Sequence, residues 1–149
     1  MAVVREDPYL ATNFQVTIEG VLDDGRSVRG SFAEVTGLEV TIAPIEYRNG
    51  SEDITVRKLP GLKKFTNITL KRGAIGDLTL WQWIKTVMDG QTQRANGTIT
   101  LLDESRQAVM TWTFRRAWPC KWSGPSFNAT SNEVAIESIE ICHEGLDLE

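Results

Sequence analysis

Residues 31–73 read SFAEVTGLEVTIAPIEYRNGSEDITVRKLPGLKKFTNITLKRG, and the middle of this run alternates like a strand pair while carrying too few apolar residues to build a core. Val40, Ile42 and Ile45 are followed by Tyr47, by the turn signal Asn49-Gly50, and by Ile54 and Val56. Charged residues crowd around them: Glu39, Glu46, Arg48, Glu52, Asp53, Arg57 and Lys58. An isolated two-stranded hairpin is marginal in water, and an exposed strand edge is a template for pairing with a neighbour. The stretch therefore predicts an arm over about 38–58 that finds its partner in another chain, with Leu59-Pro60-Gly61 closing the excursion.

Working outward from the arm, Phe14, Val16 and Ile18 alternate with Gln15, Thr17 and Glu19, the period-two pattern of a half-buried strand. Asp23-Asp24-Gly25 reads as a turn, and one strand is expected from about Ser27 to Thr36. Beyond the arm, Ile68 and Leu70 face one side while Asn67, Thr69 and Lys71 face the other. The period changes after Gly76. Leu80, Trp81, Ile84, Val87 and Met88 recur at three- and four-residue intervals, which predicts a helix over about 77–89 with Asp77 as cap and Gly90 as stop. Trp83 falls off that stripe and is expected over a loop or an interface, whereas Trp81, Trp112 and Trp118 have core-like contexts.

Ile99 and Leu101 begin a further strand, and Met110, Trp112 and Phe114 line one face of its return. In the last strand, Val134 and Ile136 are out of phase with Ile139 and Ile141, so a β-bulge is expected near Ser138. Strands, one helix and more strands point to a mainly β sandwich or barrel with one flanking α-helix and a long protruding hairpin arm. With 149 residues, 41% of them hydrophobic, the chain reads as a single domain over 1–149, long enough to bury a sizeable core.

Composition narrows the function. A net charge of −4 argues against a general nucleic-acid binder, which needs a surplus of Lys and Arg on some face. Lys63, Lys64, Lys71 and Arg72 form a modest basic cluster, read as meeting acidic faces of sister chains. The start of the chain has no apolar run of signal-peptide length and no stretch is long enough for a membrane span, so synthesis in the cytoplasm without stable membrane association is expected. Cys120 and Cys142 lie outside any metal-ligand spacing and read as reduced, buried thiols. Neither a GxGxxG nor a GxxxxGK[ST] spacing occurs. The single histidine, His143, has no motif-linked nucleophile, and Glu137 with Glu140 reads as a solvated or interface face in preference to an acid/base pair. No catalytic residue, metal ligand or cofactor is expected.

Three blocks, with the DPYLATNFQV start at 7–16, carry a family resemblance. The first is SFAEVTGLE, IEYRNG and KLPGLKKFTNITLKRG; the second is LTLWQWIKTVMDG with NGTITLLDE; the third is WTFRRAWPCKWSGPSFNATSNEVAIESIEICHEGL. The sequence resembles the inner tube proteins of contractile injection systems, a family that includes the tail tube proteins of contractile-tailed phages. The HEGL at 143–146 looks most like the tube subunits of phage-tail-derived particles that deliver toxins. The resemblance implies a tail-tube-type β sandwich or barrel, six-membered rings, and stacking of those rings into a rigid hollow tube.

It also implies partners: the same chain in neighbouring rings, a contractile sheath protein, baseplate and hub proteins, a tube-terminating protein, a length-determining protein, and a toxin or DNA payload in the lumen. The particle would assemble in the bacterial cytoplasm and be released from the cell. Carried over residue by residue, Glu39, Thr41, Glu46, Tyr47, Arg48, Asn49, Glu52 and Asp53 make the contact between rings. Asn67, Thr69, Lys71, Glu137, Glu140 and His143 are candidates for the subunit interface or the lumen. Within the same class stand the tail tube of a DNA-carrying phage and the ring protein of a type VI secretion system. A carbohydrate-binding β-sandwich module, using Trp83 and Trp122, is the alternative from a different class.

Overall fold

A computed structural model describes residues 2–19, 28–30 (backbone), 32–48, 50 and 56–149. Its strands are β1 (Phe14–Ile18), β2 (Val28–Gly30), β3 (Glu34–Thr36), β4 (Val40–Tyr47), β5 (Arg57–Phe65), β6 (Ile68–Gly73), β7 (Ala95–Leu102), β8 (Ala108–Ser123), β9 (Ile136–Cys142) and β10 (Gly145–Leu148). One helix, α1 (Thr79–Met88), lies between β6 and β7. Eight strands form one antiparallel sheet in the order β2-β1-β7-β8-β9-β6-β3, with β10 also paired to β8. The strand expected over 27–36 is in fact two, β2 pairing with β1 and β3 with β6 at opposite ends of that order. Between them Phe32 turns into the core, and Ala33 N–H donates to the Lys71 carbonyl at 2.7 Å.

That break has a geometric consequence. Four residue steps separate Gly30 from Glu34, which span at most about 14 Å, so the two ends of the sheet lie close together and the sheet is rolled on itself. Long β8 makes the roll possible. Its first part pairs with β7 and β10, its last part with β9, and Arg116 at φ 52° marks the bend between them. The rolled sheet encloses Val16, Ile18, Leu70, Phe114, Ile139 and Ile141, all essentially inaccessible.

The alternation expected for β1 and β6 is present: Val16 and Ile18 are buried, as are Ile68 and Leu70, while Thr69 and Lys71 stand on the opposite face of β6. In β9 the bulge expected near Ser138 is absent, and the pairing with β6 runs unbroken from Ile136 to Ile141. The apparent change of phase has another cause. Glu137, not Ile136, shares the inner face with Ile139 and Ile141, while Ile136 and Val134 are exposed. The register shift falls on β8 instead, between Pro119 and Lys121.

Helix α1 presents Leu80 and Trp83 to the core, both at 0% exposure. Trp83 is therefore central, and Trp81 is the tryptophan at the surface, edge-on to Trp122 with ring centroids 5.0 Å apart. Indole burial is tolerated because Trp83 Nε1–H donates to the Gln93 carbonyl at 3.1 Å. Leu78 occupies the N-cap position, so Asp77 supplies the missing acceptor: its Oδ1 receives the Thr79 backbone N–H at 3.0 Å and the Thr79 hydroxyl at 2.9 Å. The Thr79 hydrogen bonds, helped by Arg72, hold the Asp77 carboxyl below the ordinary aspartate range.

A group depressed in the folded state stabilises fully above its unfolded pKa, and that contribution fades as pH falls through its folded value. Asp77→Ala should then cost about 1 kcal/mol at neutral pH. Urea unfolding should show the gap between wild type and variant narrowing below about pH 4.

Candidate assembly surfaces

Strands β4 and β5 form a sheet of their own, separate from the rolled sheet. Every residue of β4 is exposed, although Val40, Ile42, Ile45 and Tyr47 are apolar and about half accessible, as is Leu59 on β5. Leu62 is 85% exposed. The ribbon extends further than the sequence indicates: Leu59-Pro60-Gly61 does not close the arm but lies inside β5, with Pro60 opposite Pro44 and pairing continuing to Phe65 opposite Val40. At about 3.3 Å per residue, β4 alone reaches roughly 26 Å. Of the residues assigned to the arm contact, Thr41, Glu46, Tyr47 and Arg48 lie exposed on or just beyond β4, and Glu39 at its root; Asn49, Glu52 and Asp53 fall outside the described residues.

Two glycines shape the arm. Gly37, where the chain leaves β3, has φ +93°, and a Cβ there would sit 2.0 Å from the Asn67 carbonyl oxygen. Gly61 faces the Ala43 carbonyl, 2.5 Å from where a Cβ would be, at the register shift between Ile42 and Pro44. Any larger residue would force the strands apart at either point. The root is held from both sides, as Thr66 N–H donates to the Glu39 carbonyl at 3.3 Å and Thr66 Oγ1 meets Glu39 Oε2 at 3.4 Å.

His143 fixes the root to the body. Its Nε2 lies 3.0 Å from the Thr66 carbonyl and its Nδ1 3.1 Å from the Gly145 carbonyl, while its ring packs against Phe65 and Phe114. Both nitrogens thus face acceptors, and a neutral imidazole can donate to only one. His143 consequently belongs to the arm's anchorage and not to the polar face carried by β6 and β9. His143→Ala should leave the core intact and speed hydrogen exchange at Thr66 and Asn67, which mass spectrometry of peptides would register.

The other candidate residues divide between two faces. Thr69 and Lys71 on β6, Ser138 and Glu140 on β9, and Lys121 and Ser123 on β8 line a shallow depression of about 200 Å³. The strands bring them together by register, Thr69 opposite Glu140 and Lys71 opposite Ser138. Asn67 adjoins this face through Cys120 Sγ, 3.7 Å from its Nδ2, and Lys71 Nζ pairs with Glu34 at 3.4 Å. Charges of both signs make a hydrated, balanced surface.

Glu137 is not there. It points inward at 7% exposure, where Arg72 Nε–H donates to its Oε1 at 2.5 Å. Arg72, itself 3% exposed, also donates to the Asp77 carbonyl at 3.1 Å and meets Asp77 Oδ2 at 3.5 Å. The expected grouping of Arg72 with surface lysines is thus corrected: a cation on the inner face of β6 finds its anion on β9 and its carbonyl at the helix start. Sequence periodicity gave no sign of this, because Arg72 and Glu137 occupy positions where alternation calls for apolar residues.

The cysteines also differ from expectation, since Cys120 is exposed and Cys142 half-buried, though both are free thiols. The tryptophan platform of a carbohydrate module is lost with Trp83, which lies wholly inside. Elsewhere Arg5 grips Glu104 through two bonds of 2.8 and 3.0 Å, tying the start of the chain to the β7–β8 turn. Those bonds hold the Glu104 carboxyl down at about 2. Among the described residues no group of three His, Cys, Asp or Glu side chains is arranged to hold a metal ion, and no helix is long and apolar enough to cross a membrane.

The architecture has counterparts. A chain of the sheath–tube complex of PVC, an extracellular contractile injection system, in its extended state is 31% identical, with 97% of this chain and 93% of that one covered and a TM-score of 0.84. A chain of the sheath/tube terminator of the same kind of system is 30% identical over 98% and 99%, again with a TM-score of 0.84. A type six secretion system protein shares the fold alone, at 12% identity over 91% and 82% and a TM-score of 0.55. No curated protein sequence matches. Residues 10–147, which take in the rolled sheet, the helix and the protruding ribbon, match the T4-like virus tail tube protein gp19 family, and the chain belongs to that family.

Proposed function

We propose that this tail tube protein is the structural subunit of the rigid inner tube of a phage-tail-like contractile injection system, six copies closing each ring and rings stacking into a conduit for payload. The observation that carries the reading is the ribbon of β4 and β5, a separate two-stranded sheet whose apolar side chains have no cover in the single chain. Such a ribbon gains stability when a second copy buries it, at roughly 25 cal/mol per Å² of apolar surface. Lateral closure of the ring draws on the outer edges of β2 and β3, which face no other strand among the described residues. Closure into a ring removes such edges. Stacking along the axis is heterologous and repeats, so a separate component must set the length.

The polar face of Thr69, Lys71 and Glu140 suits the lumen, where a passage for toxin or DNA has to stay hydrated. The likeness to sheath–tube and tube-terminator chains supports a contractile sheath and a terminator as partners; a baseplate that nucleates the first ring and a length-determining protein complete the set. The same likeness favours a particle released from the cell after assembly in the cytoplasm. In this reading the chain is a passive conduit and catalyses nothing: both ring nitrogens of its one histidine lie against backbone carbonyls, away from any nucleophile among the described residues. Negative-stain microscopy and sedimentation of the purified protein should reveal rings or tubes. Monomers alone over a wide concentration range, with no partner able to nucleate assembly, would overturn the proposal.

A further inference from the structure

At one end of β6 the chain leaves a group of apolar side chains uncovered. Ile75 and Leu78, in the link from β6 to α1, are 78% and 61% exposed, and Val134 and Ile136, around the start of β9, are 76% and 46% exposed. Backbone pairing gathers them. Gly73 is the Cα partner of Ile136 and Ala74 N–H donates to the Ala135 carbonyl at 2.9 Å, so the next pair outward is Ile75 beside Val134. Arg72, bonded to Glu137 on β9 and to the Asp77 carbonyl, draws the Leu78 end of the link towards the same strand. Trp81 continues the group across Trp122, whose Cα partner on β9 is Ile139. Single exposed apolar residues are ordinary, whereas a contiguous group of them marks a contact surface.

The arm leaves the body at the other end of β6. Thr66, at the arm's root, adjoins Ile68, while the apolar group adjoins Gly73, and the six residues of β6 at about 3.3 Å each set the two roughly 17 Å apart. Arm and apolar group thus stand at opposite ends of one strand, as donor and acceptor do in a heterologous contact that repeats from copy to copy. Their charges are complementary. Lys58, Lys63 and Lys64 are exposed on β5, which carries no acid, and the exposed Asp77 and Glu133 border the apolar group.

We infer that the patch of Ile75, Leu78, Trp81, Val134 and Ile136 receives the β4–β5 arm of a second copy in the next ring. The inference rests on the tube function proposed above and adds to it the surface on which the arm lands. Ile45, Tyr47 and Leu59 of the incoming arm leave water against the patch, and Lys58 meets the acids at its border. Lateral closure uses the edges of β2 and β3, so a ring forms without this contact.

Ile75→Lys with Val134→Lys sets positive charge against the lysines of the incoming arm. Both positions are more than three-quarters exposed, so thermal unfolding should stay within a few degrees of wild type while electron micrographs show rings and no tubes. Val134→Lys alone, outside every strand, carries the test if the double variant unfolds. Rings of the patch variant, mixed with rings whose arm is shortened by replacing Glu46–Lys58 with Asn-Gly, should form pairs that grow no further, because one ring supplies only arms and the other only patches. Tubes of normal length from the patch variant, mixtures that stay single rings, or loss of the rings themselves would each overturn the inference. Wild type that makes no tube overturns the tube function, and this inference with it.

Discussion

Replacing Glu46–Lys58 with Asn-Gly should leave a folded subunit that no longer stacks. Ile45 and Leu59 are Cα partners, so a two-residue turn can join them without disturbing the pairing below. The described residues of that segment lie outside the rolled sheet, and none of the buried core residues is among them. Thermal unfolding should therefore stay within a few degrees of wild type, while electron micrographs show rings or free subunits in place of tubes. Tubes of normal length from this variant would remove the arm from the ring-to-ring contact. The expectation rests on the proposed tube function, yet the two can fail separately: wild type that makes no tube at all sinks the function, not merely the arm.

The second large effect concerns Arg72 and Glu137. Glu137→Ala leaves the Arg72 guanidinium, 3% exposed, with the partly accessible Asp77 as its one remaining anion among the described residues. Removing one partner of a buried pair costs about 3–5 kcal/mol, a large part of the roughly 5–15 kcal/mol that holds a domain folded. The paired change Arg72→Met with Glu137→Leu should recover most of that loss, because two apolar side chains of similar volume need no counterion. Urea midpoints for the three proteins measure it. Had Glu137 stood on an assembly surface, Glu137→Ala would spare the subunit and weaken only the assembly, so a loss below about 1 kcal/mol together with failed assembly would return it to the surface.

These cases mark what is legible in this sequence. Strands β1 and β6 and the existence of α1 can be read from periodicity because each has one buried face, and alternation or helical spacing records burial directly. The helix face is not legible where two tryptophans stand two apart, since Trp81 and Trp83 are equally apolar and only packing separates them. What fails is non-local. The end of the ribbon, the split between β2 and β3, and the bulge of β8 depend on which strands meet, and Glu137 is inside only because Arg72 awaits it 65 positions away. The polar face was half legible: Asn67, Thr69, Lys71 and Glu140 do converge, whereas Glu137 and His143 go elsewhere.

The opposed prolines of the arm bear on a different matter, the safety of the unassembled pool. Pro44 and Pro60 face one another across β4 and β5, so at that level both strands lack an amide hydrogen to offer. A stray strand seeking to zip along either side meets a missing rung halfway. Free subunits can thus carry a long, uncovered, partly apolar ribbon at high concentration while resisting indiscriminate growth into fibres, and they keep it for an acceptor shaped to receive side chains rather than backbone.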